Sequence, residues 1–151
     1  MSLAEFDRLK SDFAILDDWE DRYRHVIELG KQLPPLAETE RTPANKVRGC
    51  ASQVWIVSTT AETAAGPVLT FSGDSDALIV KGLIAIVFMI LSGQPAAAIL
   101  AADTGALLND LGLKGHLTQQ RSNGLAAMVE RIKADARRAL QGNSAAAIAG
   151  R

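Results

Sequence analysis

The longest apolar stretch of the chain is Gly82-Leu83-Ile84-Ala85-Ile86-Val87-Phe88-Met89-Ile90-Leu91. It lies between Lys81 and Ser92 and is therefore well short of the roughly 18 to 20 residues that span a bilayer. Apolar residues occupy nearly every side of the helix that it would form, which is typical of a helix buried all round. We predict a central helix over residues 81–91, packed between a small sheet and outer helices.

Two amphipathic helices are predicted at the start of the chain. The apolar positions of the first are Phe6, Leu9, Phe13 and Leu16. Asp17 and Asp18 can cap the second, because aspartate is a preferred residue before a first helical turn. The apolar side of the second helix carries Trp19, Tyr23, Val26, Ile27 and Gly30. An irregular connection over residues 36–46 follows.

A small antiparallel sheet is predicted next. Residues 53–60 and 68–72 are rich in β-branched and aromatic residues and form a hairpin with a turn at 65–67. Gly73-Asp74-Ser75-Asp76 has turn composition, and residues 77–80 would add a short third strand. This order of elements predicts an α+β fold with about three strands and several helices.

The second half is predicted to be mostly helical. Helices are expected over residues 95–101 and 104–111, the latter capped by Thr104 and stopped by Gly112. Ser122 would cap a last helix, whose apolar face is Leu125, Met128, Val129, Ile132 and Ala136. We expect one domain over residues 1–140 and a disordered tail over residues 141–151, which is small and polar.

Composition narrows the function class. The chain has 151 residues, 48% of them apolar, and 16 Lys and Arg against 17 Asp and Glu give a net charge of −1. That balance argues against a nucleic-acid binder, which usually has a strong positive charge. One cysteine closes no internal disulfide, and the N-terminus shows no leader pattern, so a cytoplasmic location without a membrane partner is expected.

Cys50 is the main candidate for chemistry. It follows Gly49 at the start of a predicted strand, where another protein can approach it. A thiolate is a nucleophile, and Lys46 and Arg48 could favour it over the thiol, which ordinarily has a pKa near 8.5. An inert, buried cysteine fits the same pattern equally well, and Gly49 can be a plain turn residue or a means of leaving room for an incoming group.

A metal or cluster site is not expected, because the chain offers one cysteine and two distant histidines, His25 and His116. His116 lies beside Gly115 in a predicted loop and could pair with Cys50 as in a cysteine hydrolase. No oxyanion or nucleophile-elbow motif supports that alternative.

Several blocks of sequence occur together in one order. They are Trp19-Glu20 with Tyr23, Ile27-Glu28-Leu29-Gly30, Leu33-Pro34, Gly49-Cys50-Ala51-Ser52-Gln53-Val54-Trp55-Ile56, Gly73-Asp74-Ser75-Asp76-Ala77, Ile79-Val80-Lys81-Gly82-Leu83, His116-Leu117-Thr118 and Arg121-Ser122-Asn123-Gly124-Leu125. Through these blocks nearly the whole chain resembles the SufE family of sulfur acceptors in iron–sulfur cluster assembly. Gln119 departs from the family pattern, in which a proline is expected, and the segment after Leu140 has no counterpart.

The resemblance implies an α+β fold like that of the scaffold IscU, with Cys50 as the persulfide acceptor and no cofactor. Gly49, Asp76, His116 and Arg121 are assigned as supporting residues of the site. The implied partners are a pyridoxal-phosphate-dependent cysteine desulfurase of the SufS or CsdA type and an iron–sulfur scaffold complex of the SufBCD type. A weak homodimer is also compatible with the sequence.

Two other functions remain open at this stage. The chain can be a non-catalytic adaptor that regulates the desulfurase by docking alone, or a cysteine-dependent peroxidase or hydrolase, although it has no resolving cysteine. Within the family, the blocks do not separate SufE from its CsdE-type paralogues.

Overall fold

The computed structural model describes residues 2–149, with side chains described for all of these except residues 114 and 143–149. Within this range the helices are α1 (Leu3–Ile15), α2 (Trp19–Lys31), α3 (Leu78–Leu91), α4 (Ala96–Ala101), α5 (Thr104–Asp110) and α6 (Gln119–Ala149). The strands are β1 (Val54–Thr63), β2 (Gly66–Ser75) and β3 (Gln94–Pro95), and short 3-10 turns occur at Glu38–Glu40 and Leu113–Gly115. The predicted α+β class is confirmed.

The apolar stretch forms most of helix α3 and is the centre of the core, as predicted. Every residue from Leu83 to Leu91 is at most 3% exposed. Helix α2 crosses it at close range, because neither helix has a side chain where they meet. A Cβ on Gly82 would overlap the carbonyl of Val26, and one on Gly30 would lie 2.6 Å from the Gly82 nitrogen.

The sheet of the described residues has the order β1-β2-β3 and is antiparallel. Strands β1 and β2 form one long hairpin, paired from Val54↔Ser75 to Thr63↔Gly66. The predicted third strand at residues 77–80 is wrong. Ala77 precedes α3 and residues 78–80 form its first turn. The third strand is Gln94–Pro95, which pairs with Val68 and Leu69 after the chain has crossed the core.

The predicted turn at Gly73-Asp74-Ser75-Asp76 is also wrong, because β2 continues to Ser75. Asp74 is buried there between two cations: Arg41 donates to its Oδ2 at 2.6 Å and Lys81 lies 3.3 Å from its Oδ1. Burial alone would raise the pKa of Asp74, but the backbone N–H of Ser75 together with Lys81 and Arg41 lowers it overall. The buried carboxylate is therefore stabilised by partners distant in sequence.

The helix starts agree with prediction at the N-terminus and differ later. Asp18 caps α2 by accepting from the Glu20 N–H at 3.0 Å, as predicted. Helix α5 is capped by Asp103 instead of Thr104, through the Ala106 N–H at 3.1 Å. Helix α6 begins before Ser122, and the Thr118 hydroxyl accepts from the N–H of Arg121 at 3.2 Å.

Helix α6 extends to Ala149, so the backbone of residues 141–149 is helical. The division into a domain and a tail at residue 140 stays a prediction, and its last two residues lie outside the described range. None of the helices within residues 2–149 is long and apolar enough to cross a membrane.

Candidate functional site

Cys50 lies in a loop, residues 48–53, that we call the cysteine loop. Its base is fixed by two backbone hydrogen bonds: Val47 N–H donates to the Val54 carbonyl at 2.8 Å, and Ile56 N–H donates to the Asn45 carbonyl at 2.9 Å. Residues 48–49 form a turn, and none of the backbone groups of residues 48–52 makes a well-aligned hydrogen bond within the described part of the chain. The loop therefore has a rigid base and a loosely held tip.

Gly49 gives the loop its shape. Its φ of +94° lies in the left-handed region, which favours glycine over residues with a side chain. A Cβ at this position would also lie 3.4 Å from the Cβ of Ala127 on helix α6. The positive φ and the close approach to α6 together explain a glycine directly before the cysteine.

The thiol of Cys50 points inward from this loop. It is half-buried, and its Sγ lies 3.6 Å from the backbone carbonyl oxygen of Gly124 in α6, within range of a weak S–H donor. A Cβ on Gly124 would lie 3.5 Å from this sulfur, an ordinary van der Waals contact, so the loop packs directly against the helix at this point. Cys50 is therefore sheltered against α6.

A cavity of about 220 Å³ adjoins the thiol. Its lining residues combine apolar side chains with polar groups from the start of α6: Cys50, Ala51, Ser52, Val80, Leu83, Thr118, Gln120, Arg121, Gly124 and Met128. The cavity opens between the cysteine loop, the first turns of α3 and the first turns of α6. It offers space next to the sulfur on the inner side of the loop.

Burial raises the pKa of the Cys50 thiol above its ordinary value. Removing the thiol from water disfavours the charged form. The expectation that Lys46 and Arg48 favour the thiolate at rest is therefore wrong, since burial is the dominant influence. At neutral pH the resting thiol is protonated and weakly nucleophilic.

Two of the predicted supporting residues flank this loop. Asp76 accepts a hydrogen bond from the Gln53 N–H through Oδ1 at 3.0 Å, and its own N–H donates to the Gln53 carbonyl at 3.3 Å. These bonds attach the end of the cysteine loop to the start of α3. Arg121 lines the cavity from α6, and its guanidinium makes no ion pair within the described residues.

His116 lies elsewhere. Its ring stacks on the indole of Trp19, with ring centroids 3.8 Å apart and an angle of 15° between the planes. It is not among the residues that line the cavity beside Cys50. The structure thus brings together Cys50, Gly49, Asp76 and Arg121 but assigns His116 to a ring-stacking contact with Trp19.

Gly124, Thr118 and Met128 line the cavity but are not among the site residues predicted from the sequence. Gly124 offered a usable signal, because a glycine inside a predicted amphipathic helix often marks a close backbone approach. No comparable signal marks Thr118 or Met128. Within the described residues, no group of three or more His, Cys, Asp or Glu side chains is arranged to hold a metal ion.

Comparisons with known proteins identify relatives over most of the chain. The family model SufE, described as an Fe-S metabolism associated domain, matches residues 7–136. An uncharacterized SufE-like protein of Rhizobium etli is 55% identical over 135 residues, which are 89% of this chain and 91% of that protein. Another from Rhizobium meliloti is 52% identical over 134 residues, or 89% of this chain and 96% of that protein.

A solved structure supports the fold independently. The solution structure of a hypothetical protein from Thermus thermophilus aligns with a TM-score of 0.72 and covers 93% of this chain and 99% of that one. Its sequence identity is 21%, so the likeness concerns the fold alone.

Proposed function

This chain belongs to the SufE family, and on that premise we propose that Cys50 accepts sulfur from a pyridoxal-phosphate-dependent cysteine desulfurase. The sulfur would then pass to an iron–sulfur scaffold complex. The observation that carries the proposal is the position of the chain's single thiol, held on a surface loop beside a cavity. The protein would act as a carrier. Cys50 would accept sulfur, return to a thiol when it passes the sulfur on, and then be ready to accept sulfur again.

The transfer step is an exchange between sulfur atoms. The donor holds a persulfide, and the Cys50 thiolate attacks its outer sulfur. A sulfur–sulfur bond forms on Cys50 while the bond to the donor cysteine breaks. The donor cysteine leaves as a thiolate and takes up a proton equivalent to the one that Cys50 lost, so the step consumes no oxidant or reductant.

The resting position of Cys50 is suited to storing a persulfide, and the transfer reaction needs a different position. With Sγ facing Gly124 and its pKa raised by burial, Cys50 is a poor nucleophile until the loop opens. Opening would move the thiol into contact with the donor and away from the apolar wall of Val80, Leu83 and Met128. Return of the loop would place the new persulfide in the cavity, sheltered from reductants and oxidants in water.

The contacts of the cysteine loop support the proposed movement. Its base is fixed by the Val47–Val54 hydrogen bond, while Gly49 allows backbone rotation directly before Cys50. Asp76 limits the movement at the other end through Gln53. Arg121, exposed at the cavity mouth, is available to the docking partner or to the negatively charged persulfide.

Intact mass spectrometry tests the proposal directly. The protein is incubated with a cysteine desulfurase and cysteine, then measured under non-reducing conditions beside a Cys50→Ser variant. We expect a gain of one or more sulfur atoms on the native chain, reversed by a thiol reductant and absent from the variant. No gain with an active desulfurase would reject the carrier role; stimulation retained by Cys50→Ser would then identify a docking adaptor.

Alkylation kinetics test the sheltered resting state separately. Cys50 should react slowly with iodoacetamide in the free protein and faster when the desulfurase is present. Equal rates with and without the partner would contradict opening of the loop on docking.

A further inference from the structure

We propose that a basic groove beside the cysteine loop, lined by Lys46, Arg48, Arg131 and Arg137, binds an acidic, extended segment of the protein that donates sulfur. The proposal rests on the function proposed above and adds the chemistry of the contact. Lys46 and Arg48 are left without a role by the resting site, because burial governs the Cys50 thiol.

The groove is an open channel of about 690 Å³ between residues 43–48 and helix α6. Its small and apolar lining residues are Pro43, Ala44, Val47, Ala127 and Ala134. Small side chains along the channel let a peptide backbone approach closely. The charged side chains are placed where they can reach the carboxylates of such a peptide.

The charge of the groove is strongly positive for this protein. Four cations line it against one carboxylate, Glu130, whereas the whole chain has a net charge of −1. Glu130 and Arg137 are 3.9 Å apart and both largely exposed, so they neutralise each other weakly. Positive charge is therefore concentrated on this face, and the rest of the chain is acidic, with 12 Lys and Arg against 16 Asp and Glu.

Two of these cations have no internal partner. Lys46 and Arg48 are exposed and make no ion pair among the residues that the structure describes. Arg131, in contrast, is fixed: it bonds Asp135 at 3.2 Å and donates toward the carbonyls of Lys46 and Ile56 at 3.5 and 3.4 Å. Arg131 thus supports the groove while Lys46 and Arg48 remain available to a ligand.

The groove is continuous with the reactive loop. Arg48 lines the groove and is separated from Cys50 by Gly49 alone, and the Gly49 backbone lies against Ala127, which also lines the groove. A donor protein docked at Cys50 would therefore lie close to this face. An acidic segment bound there would position the donor's persulfide close to the cysteine loop.

The small size of the basic groove favours a protein ligand over a nucleic acid. Neutralising a long run of phosphates requires a broad basic surface, which a chain of net charge −1 does not have. A short acidic segment needs only a few cations, and complementary charges raise association rates by about 10- to 1,000-fold at low ionic strength.

Charge reversal tests the groove. The double variant Lys46→Glu/Arg48→Glu is compared with Arg8→Glu/Arg24→Glu, which makes the same charge change on helices α1 and α2. We expect the groove variant to raise the Kd for a purified cysteine desulfurase at least tenfold in low salt, and the control to change it less than twofold. The wild-type affinity should fall with added salt, and that dependence should flatten in the groove variant. Equal effects of both double variants would overturn the proposal.

A defined acidic probe separates this proposal from the carrier function. Hexaglutamate should bind the wild type and Arg8→Glu/Arg24→Glu but not the groove variant, whether or not Cys50 gains sulfur. Lys46→Glu alone, farther from Cys50, should weaken binding in the same direction, and matched thermal melting checks folding. Sulfur uptake by the wild type with no hexaglutamate binding would overturn the groove and leave the carrier function intact. Tighter binding of a single-stranded oligonucleotide than of hexaglutamate would also overturn it.

Discussion

Helix α3 and the cysteine loop differ in how their residues are held. From Leu83 to Leu91 the helix is buried on all sides, and α2 approaches it so closely at Gly82 that no side chain fits. In the described chain, residues 48–52 of the loop make no well-aligned backbone hydrogen bonds. Cys50 packs partly against the core and contacts the Gly124 carbonyl at 3.6 Å. The closely packed helix and the less tightly bonded loop meet at the cavity, which Val80 and Leu83 of the helix help to line.

The difference indicates that the stability of the fold and the reactivity of Cys50 depend on separate residues. We therefore expect the packed helix to contribute much more to the free energy of folding than the loop does. A substitution in α3 should therefore change unfolding strongly, and a substitution in the loop should change the reactivity of Cys50 at small cost in stability.

Ile86→Ala should have the largest effect. Ile86 is fully buried in α3, and removing its side chain leaves a cavity, so the free energy of unfolding should fall by about 2 to 5 kcal/mol. Leu78→Ala in the same helix is the control, because Leu78 is 55% exposed. Chemical denaturation measures both. Equal losses at the two positions would show that burial does not explain the stability of the helix.

Gly82→Ala should rank second. The new methyl group would overlap the backbone of Val26, and overpacking of this kind typically costs about 1 to 3 kcal/mol. The same substitution at Gly142 in α6 meets no atom within 4 Å and should leave stability unchanged or raise it slightly, since alanine favours helices. A Gly82→Ala protein as stable as the wild type would mean that α2 and α3 can move apart freely.

Features that depend on local pattern were predictable from the sequence. The all-apolar stretch predicted the buried helix, and the Asp18 cap and the apolar spacing predicted α1 and α2. The blocks shared with the SufE family predicted Cys50 and residues near it as the candidate site. Each of these predictions rests on residues that are close together in the sequence.

Features that depend on distant partners were not predictable in the same way. Asp74 has turn composition, and its place in β2 depends on Arg41, 33 residues earlier, and on Lys81 from the next helix. Strand β3 pairs with β2 only after the chain has crossed the core. The inward orientation of Cys50 likewise depends on Gly124, 74 residues away.

Asp76→Ala should have a modest effect on stability and a clear one on reactivity. It removes the acceptor of the 3.0 Å bond from Gln53, which should lower the free energy of unfolding by about 0.5 to 1.5 kcal/mol. If that energy restrains the loop, alkylation of Cys50 should accelerate about two- to tenfold. Asp76→Asn is the matched control, because its amide oxygen can still accept from Gln53. Unchanged alkylation in Asp76→Ala would mean that this bond does not restrain the loop.

The pH dependence of Cys50 alkylation should show the smallest effect. It tests most directly whether the cysteine loop shelters the thiol. Because burial raises the pKa of the folded thiol, its alkylation rate should rise with pH around a higher midpoint than in guanidinium, where an exposed cysteine titrates near pKa ~8.5. Above that ordinary pKa the unfolded chain loses its proton first, so the folded state binds more protons and stability falls as pH rises. The contribution is fully present below the unfolded pKa and is lost as pH passes through the folded pKa. Subtracting the same stability curve for Cys50→Ser isolates it from other titrating groups. Identical alkylation midpoints in the folded and unfolded protein would mean that the resting thiol already faces water, and the loop would then need no opening step.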